Sequence, residues 1–402
     1  MFDQLFQKWK VNSLNQQRRN AFEENSYSSS EFFSHSNPKA NLFVHGADSE
    51  TRALLLASFI KDAAYQGHDP IIILSQNRFT KQFIIELAER NEIGEMYPFS
   101  KDKEDNDYDF FSGMKKNNIV DFFRNMAENR GYADINSLDA YTNAFIEILY
   151  GIYGKINLSA MLKFLENTDT EIYNAAIDKG YVSAATVLQS QVSSRSDFRT
   201  LLIQFKNAVA DCTATDVEND LSISHAMGEP YIVYIDVSDI NNTEIPAFYF
   251  MEVLNSISNQ NYTVIFDDCS MLTNQKFQEG LQKIKHNDNS TVIISCSNIY
   301  SIFEEKNLSD FGRQVIFLRG QTPAKDTQAL LSRLGNYDHL EILENVSKKS
   351  ESFGLFDNDI NNATTTYKKD KILYDENKGC TVLVGVDETE ILMIKNFFID
   401  ME

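Results

Sequence analysis

Two short apolar runs with a helical pattern between them constrain the fold of this chain most. The runs lie at residues 42–44 and 71–74, and residues 48–66 between them have apolar side chains at helical spacing. A strand, a helix and a second strand within about thirty residues form a βαβ unit, whose two strands are parallel. Because both faces of a parallel sheet are covered by helices, the chain is expected to contain an α/β core.

Further strand-like runs appear only after a long interruption. They lie at residues 231–235, 262–266, 291–295, 314–317 and 381–384. Between residues 104 and 208 apolar residues recur at helical spacing instead, as in Ile119, Phe122 and Met126. The pattern predicts a helical or flexible lead at residues 1–37, a first core segment at 38–103, an all-α insertion at 104–208 and a second core segment at 209–402.

The turn after the first strand stands where a phosphate-binding loop is expected. A working loop of the form G-x-x-x-x-G-K-[ST] needs glycine for close backbone approach, lysine for the phosphates and a hydroxyl for Mg²⁺. Here Gly46 takes the first position, and the last three are Thr51, Arg52 and Ala53. The second glycine, the lysine and the hydroxyl are therefore all replaced. Such a degenerate nucleotide-binding loop predicts a poor ATPase, and neither ATP nor Mg²⁺ is expected as a cofactor.

Arg52 has two interpretations. Its guanidinium could place positive charge near a phosphate, although a planar fork does not replace the compact ammonium group of lysine. Alternatively, the side chain is simply solvated. The six histidines show no metal-ligand spacing, so no metal site is predicted.

Two carboxylates, Asp267 and Asp268, follow the apolar run at residues 262–266. In a P-loop ATPase an acid at this place positions Mg²⁺ and a neighbour orients the attacking water. An acidic strand end that caps the next turn is the simpler interpretation. Because Gly46 lies upstream in the same α/β order, we interpret both acids as relics of a metal site and assign no catalytic residue.

The charge balance argues for protein partners. The chain has 37 Lys and Arg against 58 Asp and Glu, a net charge of −21 in 402 residues. Strong non-specific binding to DNA is not expected, because that binding depends on clustered basic residues. The four cysteines lack C-x-x-C spacing, and no apolar run is long enough to span a membrane. A cytoplasmic protein is expected, one that could lie at the periphery of an inner-membrane complex.

The order of these features resembles the ATPase domain of type IV secretion coupling proteins, the TraG/TraD-like relatives of hexameric DNA-pumping ATPases. The resemblance runs from about residue 38 to residue 402. Its segments are residues 46–53, 70–75, 77–80, 97–99, 228–235, 262–268, 293–303 and 331–335. It implies a mostly parallel P-loop NTPase-like (RecA-like) sheet flanked by helices, with the all-α domain inserted.

The departures from that family all concern nucleotide handling. The family's aspartate after the second strand is Ser75 here, and its nucleotide-sensing glutamine is Ser297. We therefore favour a catalytically degenerate homologue that acts as a protein-binding scaffold in bacterial conjugation or type IV secretion. Its expected partners include a secretion or conjugation ATPase or a channel component. The alternatives are an active ATPase in which Arg52 replaces lysine, driving DNA or protein translocation, and a nucleotide sensor that does not hydrolyse.

Overall fold

A computed structural model describes most of the chain. The described residues are 41–46, 49–66, 69–93, 96–99, 108–209, 222–227, 230–238, 244–285, 290–297 and 302, together with strands at 26–28, 314–318, 336–342, 362–368, 381–385 and 391–395.

The strands in chain order are β1 (Ser26–Ser28), β2 (Leu42–Gly46), β3 (Ile71–Ser75), β4 (Met96–Phe99), β5 (Ile232–Asp236), β6 (Tyr262–Asp267), β7 (Ser290–Cys296), β8 (Gln314–Leu318), β9 (Asn336–Ile342), β10 (Asn362–Lys368), β11 (Thr381–Gly385) and β12 (Ile391–Lys395). The helices are α1 (Ser49–Gln66), α2 (Arg78–Glu89), α3 (Lys116–Asn129), α4 (Ile135–Tyr153), α5 (Leu158–Leu165), α6 (Asp169–Asp178), α7 (Val182–Ser190), α8 (Val192–Ala208), α9 (Glu244–Ser256) and α10 (Gln275–Lys285).

One large sheet organises the described part of the chain. Its strand order is β1-β12-β11-β8-β2-β7-β6-β3-β5-β4, and β9 and β10 form a separate antiparallel pair. The neighbours from β8 to β4 are all parallel, whereas β11 is antiparallel to both β8 and β12. The predicted mostly parallel sheet flanked by helices is thus confirmed.

Alternate residues of each central strand enter different apolar clusters. In β3, Ile71 and Ile73 belong to a cluster with α1 and α2 on one face, whereas Ile72 and Leu74 belong to a larger cluster on the other face. This alternation follows from the two-residue period of a strand, and it explains why the central strands are continuously apolar. All five residues of β3 are buried.

The helices α3 to α8 follow β4 in the chain and precede β5, and no strand lies among the described residues from 109 to 209. Local signals set their ends. Thr168 and Glu171 form a capping box at the start of α6, and α4 ends at Gly154 in the left-handed conformation with φ 72°. That these helices form a separate inserted domain stays a prediction.

Helix α9 connects the helical segment to the sheet. Nearly all of its residues are buried, because it packs against α3, α8 and α10 and its apolar side chains share one cluster with the sheet face. Its one buried acid, Glu252, accepts hydrogen bonds from Asn118 Nδ2 at 2.9 Å and Asn125 Nδ2 at 3.2 Å, both on α3. The core of the helical segment is therefore continuous with the core beneath the sheet.

The proposed segment boundaries at residues 37, 103 and 208 stay predictions. Residues 26–28 of the predicted helical or flexible lead form a strand parallel to β12, and the other residues of that lead lie outside the described part of the chain. Among the helices that are described, none combines the length and the apolarity needed to cross a bilayer.

Candidate functional site

The candidate site lies where the central parallel strands end. Strand register places Ser75 beside Asp267 and Asp267 beside Ser295, so the carboxyl ends of β3, β6 and β7 are level. In open α/β sheets this edge is where ligands bind. The strand β7 lies between β2, which leads into the degenerate loop, and β6, which ends in the acids.

The four residues of the degenerate loop belong to two elements, the end of β2 and the start of α1. Gly46 ends β2 and pairs with Leu318 of β8, and residues 47 and 48 lie outside the described part of the chain. Thr51, Arg52 and Ala53 lie within the first turns of α1. Ala53 is fully buried and belongs to the apolar cluster between α1 and the sheet. The position that needs a metal-binding hydroxyl is thus part of the hydrophobic core.

Arg52 is buried, with 2% of its side chain exposed, and its Nη2 donates to Asp268 Oδ2 at 2.5 Å. The interpretation of Arg52 as a solvated residue is therefore wrong. A buried guanidinium is costly unless a carboxylate neutralises it, and the acidic turn after β6 supplies that carboxylate across the sheet edge. Asp268 is 27% exposed, so this carboxylate keeps some contact with water.

The backbone at Asp268 is left-handed, with φ 48°. Aspartate is one of the few residues with a side chain that adopts this region readily. The Asp268 N–H donates to the carbonyl of Ser295 at 2.8 Å, so the turn is also bonded to β7. The two neighbouring acids consequently have different surroundings: Asp268 faces Arg52, and Asp267 is enclosed.

Asp267 is fully buried and accepts hydrogen bonds on both carboxylate oxygens. Ser295 Oγ donates to Oδ1 at 2.6 Å, Thr80 Oγ1 donates to Oδ2, and Ser75 Oγ lies 3.4 Å from the same Oδ2. Burial raises the pKa of Asp267 to about 6, with a smaller rise from Asp268, while the hydroxyls of Ser295 and Thr80 and the charge of Arg52 lower it. Desolvation is the largest of these contributions, so the net shift of the pKa is upward.

A second group of hydrogen bonds lies near Asp267 and Asp268, at the start of α2. Gln76 donates through Nε2 to Ser270 Oγ at 2.8 Å and accepts from the Ser270 N–H at 3.2 Å. Asn77 caps α2 by accepting from the Phe79 N–H and donates through Nδ2 to the Ser49 carbonyl at 2.8 Å. These contacts bind the start of α2 to the start of α1 and to the turn after β6.

Sequence reasoning missed the hydroxyl donors. Thr80 and Ser295 lie inside a helix and a strand, where a hydroxyl has no distinctive sequence context. Ser75 was noted only as the replacement of an aspartate, and its contact with Asp267 follows from strand register. Ser297, the other replacement, lies just after β7 and is exposed.

The residues present do not fit Mg²⁺-nucleotide. Magnesium prefers oxygen ligands and usually takes one or two carboxylates together with the phosphates. Of the two acids, Asp267 already accepts from hydroxyls on both oxygens and Asp268 is paired with Arg52. Ala53 has no ligand atom. Elsewhere in the described residues, no group of three or more His, Cys, Asp or Glu could hold a metal ion.

Comparison with known proteins gives resemblances of structure. No model of a known protein family and no curated protein sequence matches the chain. Among solved structures, VirB4 of Thermoanaerobacter pseudethanolicus matches with 12% identity, 88% of each chain covered and a TM-score of 0.46. The bacterial conjugative coupling protein TrwBdeltaN70 matches with 12% identity over 91% of this chain and 87% of that chain, at a TM-score of 0.48.

The plasmid coupling protein TrwB in complex with ADP and Mg²⁺ matches with 12% identity over 90% of this chain and 87% of that chain, at a TM-score of 0.47. The suspected resemblance to conjugative coupling proteins is confirmed as a resemblance of structure. At these identities and TM-scores, function has to be inferred from the residues of this chain.

Proposed function

We propose that this chain is a catalytically degenerate P-loop NTPase-like protein that does not turn over nucleotide and acts by binding other proteins. One observation carries the proposal: the residue at the loop-lysine position, Arg52, is buried against Asp268, one of the two acids at the metal position. The charge that would act on phosphate and a charge that would act on Mg²⁺ neutralise each other.

Catalysis of phosphoryl transfer depends on positioning and on charge stabilisation of the transferred group. Here the charges are engaged inside the protein, Asp267 is enclosed by hydroxyls, and the apolar Ala53 replaces the metal-binding hydroxyl. The parallel sheet and its apolar clusters are nonetheless intact. Loss of the chemistry with retention of the fold is the pattern of a scaffold.

The proposed setting is bacterial conjugation or type IV secretion, with the protein in the cytoplasm or at the periphery of an inner-membrane complex. The order of sequence motifs supports this setting, and the net charge of −21 favours protein partners over nucleic acid. A secretion or conjugation ATPase and a channel component are the partner classes we propose. Relaxase and mating-channel genes beside the gene for this protein would support the setting, and their absence would count against it.

The purified full chain should hydrolyse no ATP above a buffer blank, and its melting temperature should not move with ATP or ADP, with or without Mg²⁺. A ligand at about 100 times its Kd would stabilise the folded state by about 2.7 kcal/mol, so binding would be visible in a thermal-shift assay. Arg52→Ala and Lys61→Ala serve as a matched pair, because both lie on α1 and only Arg52 is at the site.

The position of Arg52 at the loop-lysine place also favours the active-ATPase alternative, and the same assays separate the candidates. Turnover that disappears in Arg52→Ala and persists in Lys61→Ala would establish an ATPase in which arginine does the lysine's task. A nucleotide-dependent thermal shift without turnover would establish a non-hydrolysing sensor. Either result would replace the scaffold proposal.

A further inference from the structure

The Arg52–Asp268 ion pair joins two elements that are 216 residues apart in the chain. Arg52 lies in the first turns of α1, and Asp268 lies in the turn after β6. The N–H of Asp268 donates to the carbonyl of Ser295 in β7, and the N–H of Gln76, the residue after β3, donates to the carbonyl of Asp267 at the end of β6 at 3.1 Å. The pair is therefore the charged member of a network that joins α1 to three strand ends.

The two partners depend on each other unequally. Arg52 is almost fully buried, so its charge relies on a carboxylate for compensation, whereas Asp268 is 27% exposed and retains contact with water. Asp268 also holds a left-handed backbone with φ 48°, which aspartate and asparagine tolerate better than other residues with side chains. Removal of the acid should thus cost more than removal of the base.

We propose that the Arg52–Asp268 pair is a built-in conformational tie that holds α1 against the carboxyl edge of the sheet in one arrangement, independently of nucleotide. The proposal rests on the proposed function, since it assigns the neutralised site a structural task in place of nucleotide binding. The acidic turn supplies a permanent negative charge for Arg52 where a phosphate would supply a transient one.

A double-mutant cycle on the full chain tests the tie. The variants are Arg52→Met, which keeps an unbranched side chain without the charge, Asp268→Asn, which keeps tolerance of the left-handed backbone, and their combination. Asp268→Asn should lower the melting temperature by about 4–6 °C, because it leaves the buried guanidinium without this carboxylate. In the Arg52→Met background the same change should lower it by less than about 1 °C.

The Lys61–Glu92 ion pair provides the matched control. Lys61 lies on the same helix, its Nζ is 2.5 Å from Glu92 Oε2, and the two side chains are 42% and 29% exposed. Lys61→Met and Glu92→Gln should each shift the melting temperature by less than about 1 °C, with little coupling, because Lys61 is 42% exposed and its ammonium group remains solvated without Glu92.

If Arg52→Met fails to fold, Arg52→Lys takes its place, and Asp268→Asn must then still lower the melting temperature because the positive charge remains. The proposed tie would be overturned if Asp268→Asn lowered the melting temperature equally in the wild type and in Arg52→Met. It would also be overturned if Asp268→Asn had no effect on the melting temperature in the Arg52→Lys background. That failure, with no ATP turnover, leaves the proposed function standing. Strong coupling together with ATP turnover would keep the tie and remove the proposed function.

Discussion

Asp267 is a buried carboxylate held by neutral hydroxyl groups. Thr80 on α2 and Ser295 on β7 donate to its two oxygens, and Ser75 on β3 lies beside them. Three elements thereby meet at one side chain. Since burial raises its pKa to about 6 from an ordinary value of 3.8, the folded state binds a proton more tightly than the unfolded chain does.

This pKa shift predicts a stability change with a definite sign. Because the folded-state pKa is raised, the contribution of Asp267 to stability is fully present below about pH 4 and is lost as pH rises through about 6. Since one pKa unit is worth about 1.4 kcal/mol, this rise in pKa contributes about 3 kcal/mol to the free energy of unfolding at low pH. Urea unfolding of the wild type and of Asp267→Asn between pH 4 and 7.5 measures this contribution of the Asp267 carboxyl group to stability.

The free energy of unfolding of the wild type should fall relative to that of Asp267→Asn from about pH 4 to about pH 6 and stay level at higher pH. Asp236→Asn is the control, because Asp236 also ends a strand at this edge but is paired with Lys81 at 3.6 Å. A wild-type curve parallel to that of Asp267→Asn would show that the carboxyl group is not buried as described.

At the scale of elements, α9 and α10 approach closely at a glycine. Gly280 of α10 faces Met251 of α9, and a Cβ built at Gly280 would overlap the Met251 side chain, which is only 6% exposed. Glycine in a helix normally costs about 1 kcal/mol relative to alanine, so its presence here indicates that the packing needs it. The Met251 side chain occupies the space that a methyl group at Gly280 would fill.

Gly280→Ala should therefore destabilise the protein by about 1–3 kcal/mol, although it improves helix propensity. Met251→Ala relieves the overlap, so the cost of Gly280→Ala should shrink or change sign in that background. Glu279→Ala, at the exposed neighbouring position, should change stability by less than about 0.5 kcal/mol. Denaturant unfolding of the four variants gives these values, and a stabilising Gly280→Ala single variant would contradict the close approach.

The whole molecule combines an acidic composition with a two-sided apolar core. The large cluster on one face of the sheet continues into α3 to α10, and the smaller one lies under α1 and α2. Both faces of the central strands are thus covered within the described residues. The charged side chains of the described residues lie mostly outside these clusters, and the net charge of the full chain is −21.

That charge leads to a prediction about nucleic acid. The full chain should form no stable complex with duplex DNA at micromolar protein and physiological salt, because few phosphates can be neutralised at once. Any binding at low salt should weaken steeply as salt is added. Mobility-shift assays over a salt series measure this, and a complex that persists at physiological salt would require a localised basic patch.

The sequence by itself determined the main strands and the residue replacements in the loop. Strands buried on both faces have to be apolar throughout, so the runs at residues 42–44, 71–74 and 262–266 could be recognised without the structure. The replacements at Thr51, Arg52 and Ala53 could likewise be recognised from the sequence, by comparison with the loop motif. Strand β10 was missed, since residues 362–368 are mostly polar and are identified only by pairing with β9.

Only the tertiary structure decided what the replaced residues do. The sequence left Arg52 between a phosphate and solvent, because its partner Asp268 is 216 residues away and no local pattern joins them. The hydroxyls around Asp267 come from β3, α2 and β7, and the register of the sheet brings them to one carboxylate. Burial makes these contacts matter energetically, since a charge that leaves water must find its partners within the fold.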